Sequence, residues 1–224
     1  MALMMSAISC TQGKQEIVMQ DVTVSPFHEI ELRGVANIAL SQGDKESVRL
    51  EADKELLPDV KITNEGDKLV VNTEIKHRWF RKSKITVYIT VKNLTRLTSN
   101  GVGNITYEKP LTVEKLQLHI SEVGNVTLSL TGNELQVTSA GVGNITLTGA
   151  VQRFSVASSG AGNVNAVDLK ADTVSVTNQG VGNMSVYAAK ELSITNQGVG
   201  NVRYKGGAVI KQVTNQGVGN IKPL

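Results

Sequence analysis

The chain has 224 residues, enough for one large or two small domains with a real core, and its net charge of +3 is too small to imply nucleic acid as a partner. One cysteine excludes an internal disulfide and a thiolate metal cluster, and His28, His77 and His119 lie too far apart for metal-ligand spacing. Few aromatics, frequent Gly and an abundance of Val, Thr, Ile, Ser and Asn favour strands and turns over helices.

Residues 1–16, "MALMMSAISCTQGKQE", read as a leader and linker outside the fold. A short apolar stretch leads into Ala7-Ile8-Ser9-Cys10 and then a polar segment, as at the end of a bacterial lipoprotein signal. On that reading Cys10 is lipidated and is the chain's sole membrane attachment. The competing reading is a plain leader with an incidental cysteine. No apolar run approaches the ~20 residues that a membrane-spanning helix needs.

Residues 17–95 hold longer alternating runs, such as "EIVMQDVTV", "SVRLEAD" and "KITVYITVKNL", joined by hairpin-like turns such as Asn64-Glu-Gly-Asp67. We expect a mostly antiparallel β segment that caps one end of the repeats beginning at residue 96. Within it, "KHRWFRKSK" sets Arg78, Arg81 and Lys82 around Trp79 and Phe80. Cations flanking aromatics suit acidic glycans, anionic headgroups or a partner protein. Equally, the rings can fold back as part of the cap.

From residue 96 to 224 one motif recurs, G-x-G-N (Glu122-Val-Gly-Asn125 in the second copy), with its Asn residues 18 to 21 positions apart. Its closing pairs are Gly103-Asn104, Gly124-Asn125, Gly143-Asn144, Gly162-Asn163, Gly182-Asn183, Gly200-Asn201 and Gly219-Asn220; a degenerate copy stands earlier as Gly34-Val-Ala-Asn37. Each copy lies between two short runs of period two, so each reads as a corner between half-buried strands, with Gly supplying the turn. Stacked rungs of about 19 residues make a single-stranded parallel β-helix, an all-β solenoid. Length differences should be absorbed at the opposite corner. Parity places Leu135, Val137 and Ser139 on one face, and Ser139, Ser158, Asn178, Asn196 and Asn215 as an inward polar column. Asn amides stacked this way bond along the axis. For the column Asn104 to Asn220, parity gives no direction, because the corner resets the alternation.

Chemistry finds little footing. Beyond residue 96 the acids are scattered, and Asp168, Asp172 and Glu191 are the best available patch. No His lies in the last hundred residues, so a Ser nucleophile lacks its base. His119 is expected on the surface. A phosphate loop is normally needed once and opens a helix; here it recurs and a strand follows.

Together, Gly34-Val-Ala-Asn37-Ile with "ALSQGDKESVRLEAD", then "ITVYITVKNLTRLTSNGVGNITY" and "VRYKGGAVIKQVTNQGVGNI", resemble the head GIN domain family of auto-transporter adhesins, common among envelope proteins of Bacteroidetes. The resemblance covers roughly residues 20 to 222. The family usually writes Ser between the two glycines, where this chain has Val or Ala. The resemblance implies a β-helix, export to the periplasm or cell surface, and no established activity or cofactor. The expected role is a non-catalytic structural, adhesive or ligand-binding module. Its partner would be a glycan, an envelope polymer or another copy of itself. A carbohydrate-active, pectinase-like β-helix enzyme is the alternative; a shared fold does not carry function.

Overall fold

The computed structural model describes residues 16–75, 84–121 and 123–224. Its strands join in a single 17-stranded sheet wound into a solenoid. The repeats form rungs from the long strands β10 (Leu111–Ile120), β11 (Val126–Ser139), β12 (Ile145–Ser158), β13 (Val164–Asn178) and β14 (Met184–Asn196), each parallel to the next. The last full rung divides into β15 (Val202–Lys205) and β16 (Val209–Asn215), and β17 (Ile221–Pro223) begins another, stacked on β15.

The register matches the parity of the sequence. Leu135, Phe154, Val174 and Leu192 stack in one buried column, and Val137, Val156, Val176 and Ile194 in the next. Each fully buried side chain of this kind contributes roughly 1.5–3 kcal/mol. One expectation is refined. In β11 to β14 the second bend does not divide the rung into two strands, because parallel hydrogen bonding runs through it. Length differences appear there as register shifts, around Ala166 to Lys170 and at Ala171 to Thr173.

The first segment is more mixed than a mostly antiparallel cap. β2 (Glu29–Val35) and β3 (Asn37–Gln42) form a true rung, whose Gly34, Val35 and Asn37 lie beside Gly101, Val102 and Asn104. On its other side lies a rung made of β6 (Lys68–Thr73) and β7 (Thr86–Val91). The next rung inward is β8 (Arg96–Val102) and β9 (Ile105–Tyr107). Chain order and stacking order therefore differ here: β2–β3 sits between strands that come after it. Antiparallel pairing covers the outer edge, with β5 (Val60–Glu65) on β6, β4 (Ser47–Asp53) on β7 and β1 (Ile17–Val22) on β4. Such pairing shields an end that would otherwise expose a row of unpaired strand groups.

The corners show why Gly is required. A Cβ added at Gly182 would lie 1.9 Å from the carbonyl oxygen of Gly162 on the preceding rung, and the backbone there has φ +152°. At Gly66, in the turn between β5 and β6, φ is +62° but no atom lies within 4 Å of an added Cβ. Gly182→Ala is therefore expected to lower stability by about 3 kcal/mol, through overpacking and strain. Gly66→Ala should cost only about 1 kcal/mol. Urea midpoints of the two variants check the difference.

Candidate functional site

The seven corners and the degenerate copy line up as parallel columns along one edge of the solenoid. Their Asn residues form an exposed ladder. Asn37 Oδ1 accepts the backbone N–H of Asn104, Asn104 Oδ1 that of Asn125, and the pattern continues through Asn144, Asn163, Asn183, Asn201 and Asn220 at 2.8–3.1 Å. In several steps the side-chain amide donates to the same oxygen, as Asn163 Nδ2 does to Asn144 at 3.0 Å. These side chains clamp the turn of the following rung, which sets the direction that parity left open.

A second ladder runs inside. Ser139, Ser158, Asn178 and Asn196 are buried as parity predicts. Asn178 Nδ2 donates to Asn196 Oδ1, and Asn196 Nδ2 to Asn215 Oδ1, both at 2.8 Å. Asn215 itself is exposed, because β16 has its paired neighbour on one side. A third row lies outside: Gln179 Nε2 donates to Gln197, and Gln197 Nε2 to Gln216. Burying an amide is costly unless both of its ends are bonded, and stacking identical amides meets that condition.

Trp79, Phe80, Arg78, Arg81 and Lys82, and likewise Cys10, lie outside the described residues. Their flanks are placed. Asn72 pairs with Arg33 and Thr86 with Asn37, so the chain leaves and re-enters the sheet beside the first corner.

The acids do not converge. Asp172 pairs with Lys190 at 2.9 Å and Glu191 with Lys211 at 3.2 Å, each across one rung, while Asp168 is exposed. Glu134 takes Lys115 and Arg153, which hold its carboxyl below the usual range. His119 is exposed. Among the described residues, no group of three or more His, Cys, Asp or Glu could hold a metal ion. No helix of the described residues is long and apolar enough to cross a membrane.

The tightest ionic cluster joins the first rung to the cap. Glu31 accepts from Arg33 at 2.7 Å and from Lys68 at 2.6 Å, and Glu65 touches both cations. The Arg33 hydrogen bond, with Lys68, overcomes partial burial and lowers the Glu31 carboxyl from 4.5 to about 2.

Two features were not foreseen. The residue between the two corner glycines points outward as an exposed apolar ridge. In addition, a cleft of about 560 Å³ opens beside β1, β4 and β7, lined by Met19, Asp21, Ser47, Arg49, Tyr88 and Glu108 among others. Its residues are spread over several strands brought together by antiparallel pairing, so no local motif announces it. Tyr88 donates to Glu51 at 2.9 Å, and that carboxylate, with burial, pushes the phenol above its ordinary value.

An all-β solenoid with glycine corners and amide ladders is the class of protein that these features define. The family described as "putative auto-transporter adhesin, head GIN domain" matches residues 26–208, and the chain belongs to that family. Among solved structures it is similar to one described as a putative adhesin from Bacteroides fragilis, with 31% identity, TM-score 0.88, and coverage of 93% of this chain and 97% of that one. A structure described as a putative adhesin from Parabacteroides distasonis shares the fold at 23% identity and TM-score 0.68, covering 95% and 98%. Another from the same organism, described as a putative lipid binding protein, does so at 23% identity and TM-score 0.63, again covering 95% and 98%. No functionally curated protein matches the chain.

The two ladders differ in what their loss exposes. Asn196→Ala strands buried Asn178 without its acceptor and should cost about 2–3 kcal/mol, whereas Asn183→Ala, on the surface, should cost about 1 kcal/mol; denaturation midpoints compare them. Acid titration probes the ionic cluster. Glu31 contributes fully above its ordinary 4.5, and the contribution is lost as pH falls through about 2. Glu31→Gln should therefore lose less stability than the native protein over that interval, read from melting temperature against pH.

Proposed function

We propose that this chain is an exported, non-catalytic adhesive module of the cell envelope, held at the membrane by lipid on Cys10. The small residues before Cys10 support the anchor, and the adhesin descriptions of family and relatives support export. The observation that carries the adhesive reading is the outward face of the second half of the rungs from β11 onward, beyond the Arg96 and His119 that occupy these columns on β8 and β10. Thr138, Ala157, Thr177, Thr195 and Thr214 fall in one column. Gln136, Ser155, Ser175, Ser193 and Gln212 fall in the next. The two columns hold no ionisable side chain over these rungs and recur every ~4.8 Å. A rigid surface of hydroxyls and amides at constant pitch suits a neutral, linear, repetitive polymer such as a glycan of the envelope or of a host surface. Many weak contacts along one chain then add up.

The reading also accounts for the placement of charge. Acids and bases pair across rungs at the second bend and at the cap, leaving the hydroxyl face neutral from β11 onward. Binding to such a face should be nearly independent of salt.

Glycan-array binding of the full chain, with product analysis of each bound glycan, tests this proposal. The native protein should retain at least one neutral repeating glycan at both low and high salt. Thr177→Glu/Thr195→Glu should weaken retention at least tenfold. Loss of all binding to the array, or shortened glycan in the product analysis, would count against it, the latter returning the chain to the pectinase-like alternative.

A further inference from the structure

The residue before each closing Gly-Asn pair is Val at 102, 123, 142, 181, 199 and 218 and Ala at 161, and each is bridged through its backbone to its counterparts on adjacent rungs. All seven are exposed, the valines from 46% at Val102 to 68% at Val218. They form one unbroken ridge; six steps of ~4.8 Å make it about 29 Å long. The fold does not need valine there. The side chains lie outside the core, and the turn is set by the glycines on either side. Other exposed apolar residues, such as Val209, Ile210 and Val213, belong to the last rung's uncovered side, whereas this row runs the length of the repeats, and a continuous apolar row of that kind marks a contact site.

We propose that this ridge is a homotypic interface, on which two copies of the chain lie side by side with ridge against ridge. Three observations single out a second copy as the occupant. The first is pitch. All seven side chains stay in phase only with an object that repeats at the rung spacing, and another copy does so by construction. The second is charge. The residues of these corners are Asn, Gln, Ser, Ala, Gly and Val, with Glu122 the sole ionisable residue among them, so two chains of net charge +3 can approach here without facing like charges. The third is shape. Except at Val123, which follows Glu122, each ridge residue stands between two glycines, leaving a trough on either side into which a partner's ridge can settle. A lipid surface would call for cations beside the ridge to hold headgroups, and the corner residues provide none.

A two-fold arrangement closes the pair and leaves both hydroxyl faces open. A strip of this length and about 15 Å width buries on the order of 400 Å² per copy, below what stable complexes need, so the contact is weak and serves molecules concentrated on a membrane. The pairing deepens the adhesive reading and rests on it for its purpose, though the contact itself is measured independently.

Sedimentation equilibrium of the full chain should show a monomer–dimer equilibrium with a Kd on the order of 10–100 µM. The variant Val142→Ser/Val181→Ser/Val199→Ser changes outward side chains only, should melt within a few degrees of the native protein, and should raise Kd at least tenfold. Val181→Lys, placing like charges across the two-fold, should do the same and regain affinity as salt is added. A native chain that stays monomeric at millimolar concentration, or a triple variant that dimerises as tightly as the native protein, overturns the proposal. So does ridge-dependent binding to neutral phosphatidylcholine vesicles in place of dimerisation, which would assign the ridge to lipid. Glycan-array binding of the same variants keeps the two ideas apart. Dimerisation without glycan retention defeats the polymer reading alone, and glycan retention by a strictly monomeric native chain defeats the ridge alone.

Discussion

Everything in this molecule depends on the closeness of one rung to the next. Parallel strands set ~4.8 Å apart leave room for side chains that point in or out, and none for a side chain directed along the axis. At the bends the backbone turns so that a Cβ would be directed at the preceding rung. The carbonyl of Gly143 would lie 1.8 Å from a Cβ at Gly162, and that of Gly124 equally close to one at Gly143. The glycine pairs are therefore repeated because the clash is repeated. Backbone N–H groups stay bonded through the bend: Val181 N–H bonds to Gly160, Gly182 N–H to Val199, and Asn183 N–H to the side chain of Asn163, so the Asn ladder fills the place where strand pairing stops.

The same stacking decides which polar residues the interior can hold. A single buried amide would have to find partners among aliphatic side chains. A column of them supplies its own donors and acceptors, which is how Asn178 and Asn196 are accommodated beside Val176 and Ile194. Charges have no such solution inside. They gather at the second bend, as Asp172 with Lys190, and at the junction with the cap, as Glu31 with Arg33 and Lys68. Burying ions in the stack would require complete pairing in a low-dielectric space, whereas at the surface each pair is cheap to hold.

What could be read from the sequence was what is periodic. G-x-G-N marked the bends, and period two marked the inward columns down to Ser139, Ser158, Asn178 and Asn196. What escaped was non-periodic or depended on exposure. The degenerate Gly34-Val-Ala-Asn37 was visible as a copy, yet nothing local says that its rung lies between β6–β7 and β8–β9, since those pairings span long stretches of chain. The continuity of each strand through the second bend was hidden because turn residues such as Thr131-Gly132-Asn133 resemble breaks. The valines of the corners were visible as letters and not as a ridge, because alternation does not say how far a bend projects. The cleft beside Tyr88 and Arg49 depends on antiparallel neighbours that no motif records.

The interleaved order of the first rungs bears on how costly each part of the chain is to close. Ile30 faces Leu69 on one side and Leu97 on the other, whereas each later rung meets a neighbour about one repeat away. The β2–β3 rung thus gains its two neighbours only from strands well downstream, and closing those long loops carries an entropic cost that the later coils escape. From β8 onward each coil stacks on the one just before it in the chain. The beginning of the chain thus carries the longest loop closures, and the repeats carry short ones of about one coil each.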